Sequence, residues 1–223
     1  MYADPHWANV VSLLHFDGDD ISDETGRAWV VGGGAQISTS QSKFGGSSLS
    51  LNGASGTYIT TTNTSEFVFG SDPFTIEAFV RPAVAMDTAI AANWRGVSAA
   101  DCAWNLMTTA GRNVAFSYGV GSSNIRLTST GTIALNTWTH VAVARDGTNL
   151  RIFINGVLDS THSLVGGLNY YAGEPIVVGA LSVAHIPAGQ LLYNGYIDEV
   201  RITAGVARYT SSFDPPTRQF PNQ

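Results

Sequence analysis

The chain has 223 residues, 44% of them hydrophobic and 13% charged, with 24 glycines and one cysteine. This content supports one sizeable core and excludes a disordered chain or a disulfide-stapled scaffold. A formal net charge of −6 with Lys43 as the only lysine leaves no basic stripe, so neither nucleic acid nor an anionic membrane is expected as a partner. The opening MYADPHWANVV carries no cationic segment followed by an apolar run, and no stretch is long enough to span a bilayer. Synthesis and folding in a reducing cytoplasm are therefore expected.

In chain order, short apolar-rich runs predict strands over residues 10–16, 48–51, 58–61, 74–81, 104–107, 113–118, 125–128, 138–145, 150–154, 176–178 and 195–203. Each is bounded by Gly, Asn, Asp, Ser or Pro, the punctuation of an all-β sandwich or barrel. No sustained helical periodicity occurs, and single helical turns fit only near 65–69 or 206–209. Residues 84–103, 160–175 and 181–191 read as loops.

Residues 138–159, WTHVAVARDGTNLRIFINGVLD, are the most informative stretch. Asp146-Gly147 and Asn155-Gly156 separate apolar-rich runs, and both dipeptides accept the positive φ angles of tight hairpin turns. In the 74–81 strand a period of two puts Phe74, Ile76, Ala78 and Val80 on a core face. Thr75, Glu77, Phe79 and Arg81 then fall on a polar outer face. The same period groups Tyr196, Asp198, Val200 and Ile202, so Asp198 would share a core face and need a partner. Residues 1–9 read as an N-terminal extension and 10–212 as one domain. Residues 213–223, with Pro215, Pro216 and Pro221, read as an extended arm lying on the domain or reaching a neighbour.

Five segments occur in the order of a known family: LLHFDG (13–18), KFGGSSLSLNG (43–53), FTIEAFVRP (74–82), the 138–157 meander and GYIDEVRIT (195–203). Together they resemble a laminin-G-like, concanavalin-A-type jelly roll. The resemblance implies an all-β fold of two antiparallel sheets packed face to face. The ending GVARYTSSFDPPTRQFP (205–221) resembles the tail of such domains in bacteriophage virion proteins.

Glucanases on similar sandwiches carry closely spaced acids that flank the glycosidic bond. That spacing is missing here, and Glu77 and Glu199 read as hydrogen-bonded or surface acids, so no enzyme activity is expected. Asp17, Asp19, Asp20, Asp23 and Glu24 cluster after the first strand. By resemblance, Asp17 or Asp23 would join Asp198 in a calcium site. The plainer reading gives Asp17 and Asp23 to turns and Asp198 to hydrogen bonds. His6, His15, His140, His162 and His185 show no metal-ligand spacing, and Cys102 has no nucleophile context.

Trp94, Trp104, Tyr170, Tyr171 and Tyr193 lie in or near loops and are the candidate contacts to a glycan or protein partner, with Tyr170-Tyr171 foremost. The phage resemblance implies a non-enzymatic virion component: a decoration, fibre-associated or tail-associated protein. It would be made in the bacterial cytoplasm, contact other virion proteins and form a homo-oligomer on the particle. The alternative is a lectin-like module, extracellular or at a cell surface, that recognises surface glycans. A glycoside hydrolase is the third and least favoured reading.

Overall fold

The computed structural model describes residues 3–62, 64–96, 102–182 and 191–223. Its strands are β1 (Val10–Leu14), β2 (Val30–Gly32), β3 (Gln36–Ser38), β4 (Ser48–Asn52), β5 (Tyr58–Thr61), β6 (Phe74–Pro82), β7 (Thr88–Trp94) and β8 (Cys102–Thr108). They continue with β9 (Asn113–Val120), β10 (Ser123–Thr132), β11 (Thr139–Asp146), β12 (Asn149–Ile154), β13 (Val157–Ser163), β14 (Ile176–Val178) and β15 (Asn194–Ala204). Two antiparallel sheets result. The first runs β13-β12-β11-β6-β15-β4-β3, with β1 also on β15, and the second runs β10-β9-β8-β7-β14-β5-β2.

The 138–159 meander forms as its turns dictate. Gly147 has φ 49°, and Asn155 and Gly156 have φ 48° and 76°. The positive pair at Asn155-Gly156 matches the right-handed twist of β12 and β13. A 3-10 turn forms at Ser65–Phe67, within the expected 65–69 span, and none forms at 206–209. Strand β7 lies inside the expected 84–103 loop. Its sequence, TAIAANW, is weak in β-formers and buried on both faces, so the alternation that marks a half-buried strand is missing. The expected 160–175 loop likewise begins inside β13, an edge strand with few buried residues. The expected 181–191 loop lies mostly outside the described residues, as does His185.

Phe74, Ile76, Ala78 and Val80 do face the inter-sheet core, together with Leu51, Leu106, Phe116, Val143 and Ile202. The opposite face of β6 is not the polar outer surface expected. Glu77 and Phe79 are 0% and 2% exposed. The C-terminal arm and the segment just before it cover them: Phe220 packs on Phe79, while Tyr209 and Phe213 pack on Ala142, Ala144 and Phe153 of β11 and β12. Phe220, which is buried, contributes about 1.5–3 kcal/mol and the half-buried Tyr209 and Phe213 a part of that each, so this face is a second core and not a rim.

Strand β15 divides one of its edges between two partners. Asn194–Ile197 pair with β4, and Val200–Thr203 pair with β1. Between them the register slips at Asp198–Arg201, and Glu199 takes φ 53°. This bulge breaks the period of two. Ile197, Val200 and Ile202 enter the core. Asp198 therefore does not share the face of Val200 and Ile202, which corrects the parity expected from the sequence.

Candidate functional site

Two places on the domain carry polar chemistry beyond packing: the arm-covered face of the first sheet, and the loop end of the second.

On the first sheet, Glu77 is the hub. Its carboxylate accepts from Arg201 Nε and Nη2 (2.9 and 2.8 Å) and from the Tyr209 hydroxyl (2.9 Å), and His140 Nε2 lies 3.0 Å away. Burial alone would raise its pKa, but Arg201 and His140 outweigh that and hold it down to about 2. Asp4, from the N-terminal extension, accepts from Arg201 (3.1 Å) and from both Nη atoms of Arg208 (3.0 and 2.8 Å). Burial opposes ionisation of Asp4 as well, and the two guanidinium groups still keep its pKa below the usual carboxylate range. Between this network and the arm lies a cleft of about 790 Å³ lined by Arg201, Arg208, Tyr209, Phe213, Pro216 and Phe220. The charged groups of its floor are already paired within the chain. His140 and Glu77, each fully buried, are part of the scaffold.

The structure splits the candidate calcium trio. Asp23 accepts from the Ser12 hydroxyl, Leu13 N, Thr25 N and Oγ1, and Trp29 Nε1, so it serves the turn after β1 and has no capacity left for a metal. Asp17 and Asp198 do come together. Asp198 Oδ2 accepts from Lys43 N and Phe44 N (2.7 and 3.3 Å), whereas Asp17 Oδ1 and Asp198 Oδ1 are buried without any hydrogen-bond partner. Burial, opposed by the two backbone donors and reinforced by the charges of Glu199 and Asp17, pushes Asp198 up to about 7. Among the described residues no group of three His, Cys, Asp or Glu side chains could hold a metal. These two orphaned oxygens are by themselves too few for a hard cation, which takes roughly six to eight oxygen ligands.

At the other end, the candidate aromatics divide. Trp104 (1% exposed) is a core residue, on the same face of β8 as Leu106. Tyr193 is fully buried, and burial raises its phenol far above the ordinary value. Neither can be a contact surface. Trp94, Tyr170 and Tyr171 are half-buried and remain at the surface. Trp94 packs against Ala89, Ala92, Leu181 and Leu191 and donates its indole N–H to Gly96 O. Tyr171 packs on the edge of the core, and the Arg95 guanidinium lies over its ring at 5.4 Å.

The residue that organises this end is Arg145, which is not among the candidate site residues of the sequence. It is 2% exposed and donates to three loop carbonyls: Gly147 (2.8 Å), Gly70 (2.7 Å) and Gly166 (2.7 Å). Burial lowers its pKa. The 164–170 segment is fixed further by Leu168 N donating to Gly70 O and by Asn169, whose backbone and side-chain N–H groups donate to Gly119 O and Gly121 O. A signal was available, because alternation from Val141 through Val143 puts Arg145 on the core face, where a guanidinium must find acceptors.

This two-sheet architecture, with its arm-covered sheet and loop-borne aromatics, is that of a jelly-roll sandwich domain. The family profile described as Concanavalin A-like lectin/glucanases superfamily, laminin-G type, matches residues 52–207, and the chain belongs to that family. No curated protein sequence matches the chain. Among solved structures, the binding domain of Paraclostridial Mosquitocidal Protein 1 is similar with TM-score 0.69 and 18% identity over 93% of this chain and 50% of its own. Domain 4 of AbnA, an extracellular arabinanase from Geobacillus stearothermophilus, in complex with arabinotriose, is similar with TM-score 0.66 and 20% identity, over 89% of this chain and 94% of its own. The binding domain of botulinum neurotoxin serotype G gives TM-score 0.66 and 17% identity, over 92% of this chain and 49% of its own. The chain thus spans about half the length of the toxin binding domains and nearly all of the arabinanase domain. At these identities the likeness is one of fold.

Proposed function

We propose that this domain is a non-catalytic carbohydrate-binding module whose contact surface is the loop end of the second sheet: Trp94, Arg95, Tyr170 and Tyr171. The observation that carries this reading is the half-buried Tyr171 ring under the Arg95 guanidinium, next to Tyr170 and just after the segment that Arg145 holds at Gly166, with half-buried Trp94 at the end of β7 one residue before Arg95. Aromatic faces match the C–H faces of sugar rings, and Arg95 offers donors for hydroxyl or carboxylate groups. The full-length likeness to an arabinanase domain solved with arabinotriose supports a saccharide as the ligand.

Absence of catalysis belongs to the same proposal. Glu77 and Glu199 are buried and committed to donors within the chain, so neither is placed to meet a glycosidic oxygen. The virion setting expected from the chain's ending rests on that resemblance alone, since these relatives are toxin and arabinanase domains. A glycan array probed with the whole chain, with and without calcium, tests the proposal. Binding to a defined oligosaccharide class is expected, and a blank array in both conditions would refute it.

A further inference from the structure

The second sheet ends differently on its two sides. On one side its last strand, β10, is blunted by β13 of the first sheet. Asp159 of β13 accepts from Thr130 N and Gly131 N of β10, both at 2.7 Å, which uses up edge donors. On the other side the sheet ends on β2, which pairs only with β5. The far side of β2 therefore presents main-chain N–H and C=O groups to no strand among the described residues.

None of the usual devices protects this edge. Residues 28–42, AWVVGGGAQISTSQS, contain neither a charged residue nor a proline, and β5 beside it contains none either. Arg27, just before β2, is paired with Glu66. Val30 and Val31 are 64% and 49% exposed. Successive residues of a strand point to opposite faces, so β2 is apolar and uncovered on both. The strand is nonetheless held in place, because Thr61 Oγ1 donates to Ala28 O (2.6 Å) and Trp29 Nε1 to Asp23 Oδ2 (2.9 Å). It is a pre-ordered edge for one more strand.

This strand is complementary to itself. Two copies paired antiparallel about Val31 set Val31 opposite Val31, and Val30 of each opposite Gly32 of the other. Gly32 has no side chain to obstruct the incoming valine. The Tyr58 ring leans over it, 2.8 Å from where a Cβ would stand, and gives that valine an aromatic surface to cover. Each copy carries a net charge of −6, so two copies approach most easily along a charge-free edge.

We propose that β2 is the seam of a two-fold dimer, in which the second sheets of two copies join antiparallel, edge to edge. Each copy contributes the same three residues, so the contact closes on itself and does not propagate. A seam this short makes a weak dimer that dissociates on dilution.

Analytical ultracentrifugation of the full chain over a wide concentration series tests the seam. A reversible monomer–dimer equilibrium without larger species is expected. Val31→Lys, at an exposed position, sets two ammonium groups face to face and should weaken dimerisation by about tenfold or more. Unchanged hydrogen exchange in β5 would show that the variant keeps its fold. Val31→Cys reads the register, because opposed Cα atoms of an antiparallel pair lie about 4.5–5.5 Å apart, within disulfide reach. Mild oxidation should cross-link Val31→Cys between copies and leave Val30→Cys, which faces glycine, uncross-linked. The native Cys102 is buried and does not compete. A chain that stays monomeric at every concentration overturns the proposal, as does a dimer that Val31→Lys leaves intact. Cross-linking at Val30 in place of Val31, or growth beyond the dimer, overturns the two-fold register. No readout depends on a saccharide, so a blank glycan array leaves these outcomes standing.

Discussion

At the scale of single residues, two buried charges decide most of the chemistry. Arg145 satisfies three carbonyls from three loops, a task that a planar fork performs and an ammonium cannot. Arg145→Leu should cost about 3 kcal/mol, because the carbonyls are left buried without donors. Arg145→Lys should restore little of it. Chemical denaturation measures the loss, and faster hydrogen exchange at 164–170 would localise it. Glu77 behaves oppositely, as an acid whose ionised form is favoured. Its folded pKa of about 2 lies below the unfolded value of 4.5, so its contribution is complete above about pH 4.5 and is lost as pH falls toward 2. That contribution is worth about 3 kcal/mol. The thermal midpoint of the native chain should fall across this window. Glu77→Gln, already destabilised at neutral pH, should show a much flatter decline. An equal decline in both would remove Glu77 from the acid response.

At the scale of elements, the C-terminal arm lies on the domain, one of the two placements expected for it, and it is built into the packing. Its rings are tied to the domain: Phe213 stacks on Tyr209 at 3.6 Å, and Phe220 lies under the Arg201 guanidinium at 3.9 Å. Phe220→Ala should cost about 3–5 kcal/mol, as a core truncation does and an exposed tail would not. The arm also explains why Asn155-Gly156 is more than a hairpin turn. Phe213 N donates to Gly156 O, and a Cβ on Gly156 would lie 2.0 Å from Phe213 O. Gly156→Ala should therefore loosen the arm as well as strain the turn. Protease cleavage near residue 213 would report it, and unchanged resistance would contradict it.

The whole molecule was legible where local rules act alone. The Phe74–Val80 face and the 138–159 meander follow from alternation and turn chemistry, and five ordered segments point to the family. Legibility failed where distant chain segments meet. Nothing near Glu199 announces a bulge, because the kink arises from β15 changing partner from β4 to β1. The polar face of β6 could not be read as buried without knowing that residues 209–220 return to cover it. Trp104 is in the core and not a contact, as its shared period with Leu106 on β8 requires. Tyr193 is fully buried although it precedes β15 in a loop, a burial that no local pattern signals. Trp94, Tyr170 and Tyr171 are half-buried, Trp94 at the end of β7 and the two tyrosines just after the segment that Arg145 holds.

Carbohydrate recognition at this end is the central claim, and calorimetric titration of the native chain and its aromatic variants with an oligosaccharide bound on the array, arabinotriose included in the panel, tests it most directly. Trp94→Ala and Tyr171→Ala should each weaken binding at least tenfold, equivalent to about 1.4 kcal/mol. Tyr196→Ala, on the other sheet, should leave it unchanged. Saccharide binding that survives both loop substitutions, or that is lost with Tyr196→Ala, would contradict the placement of the site.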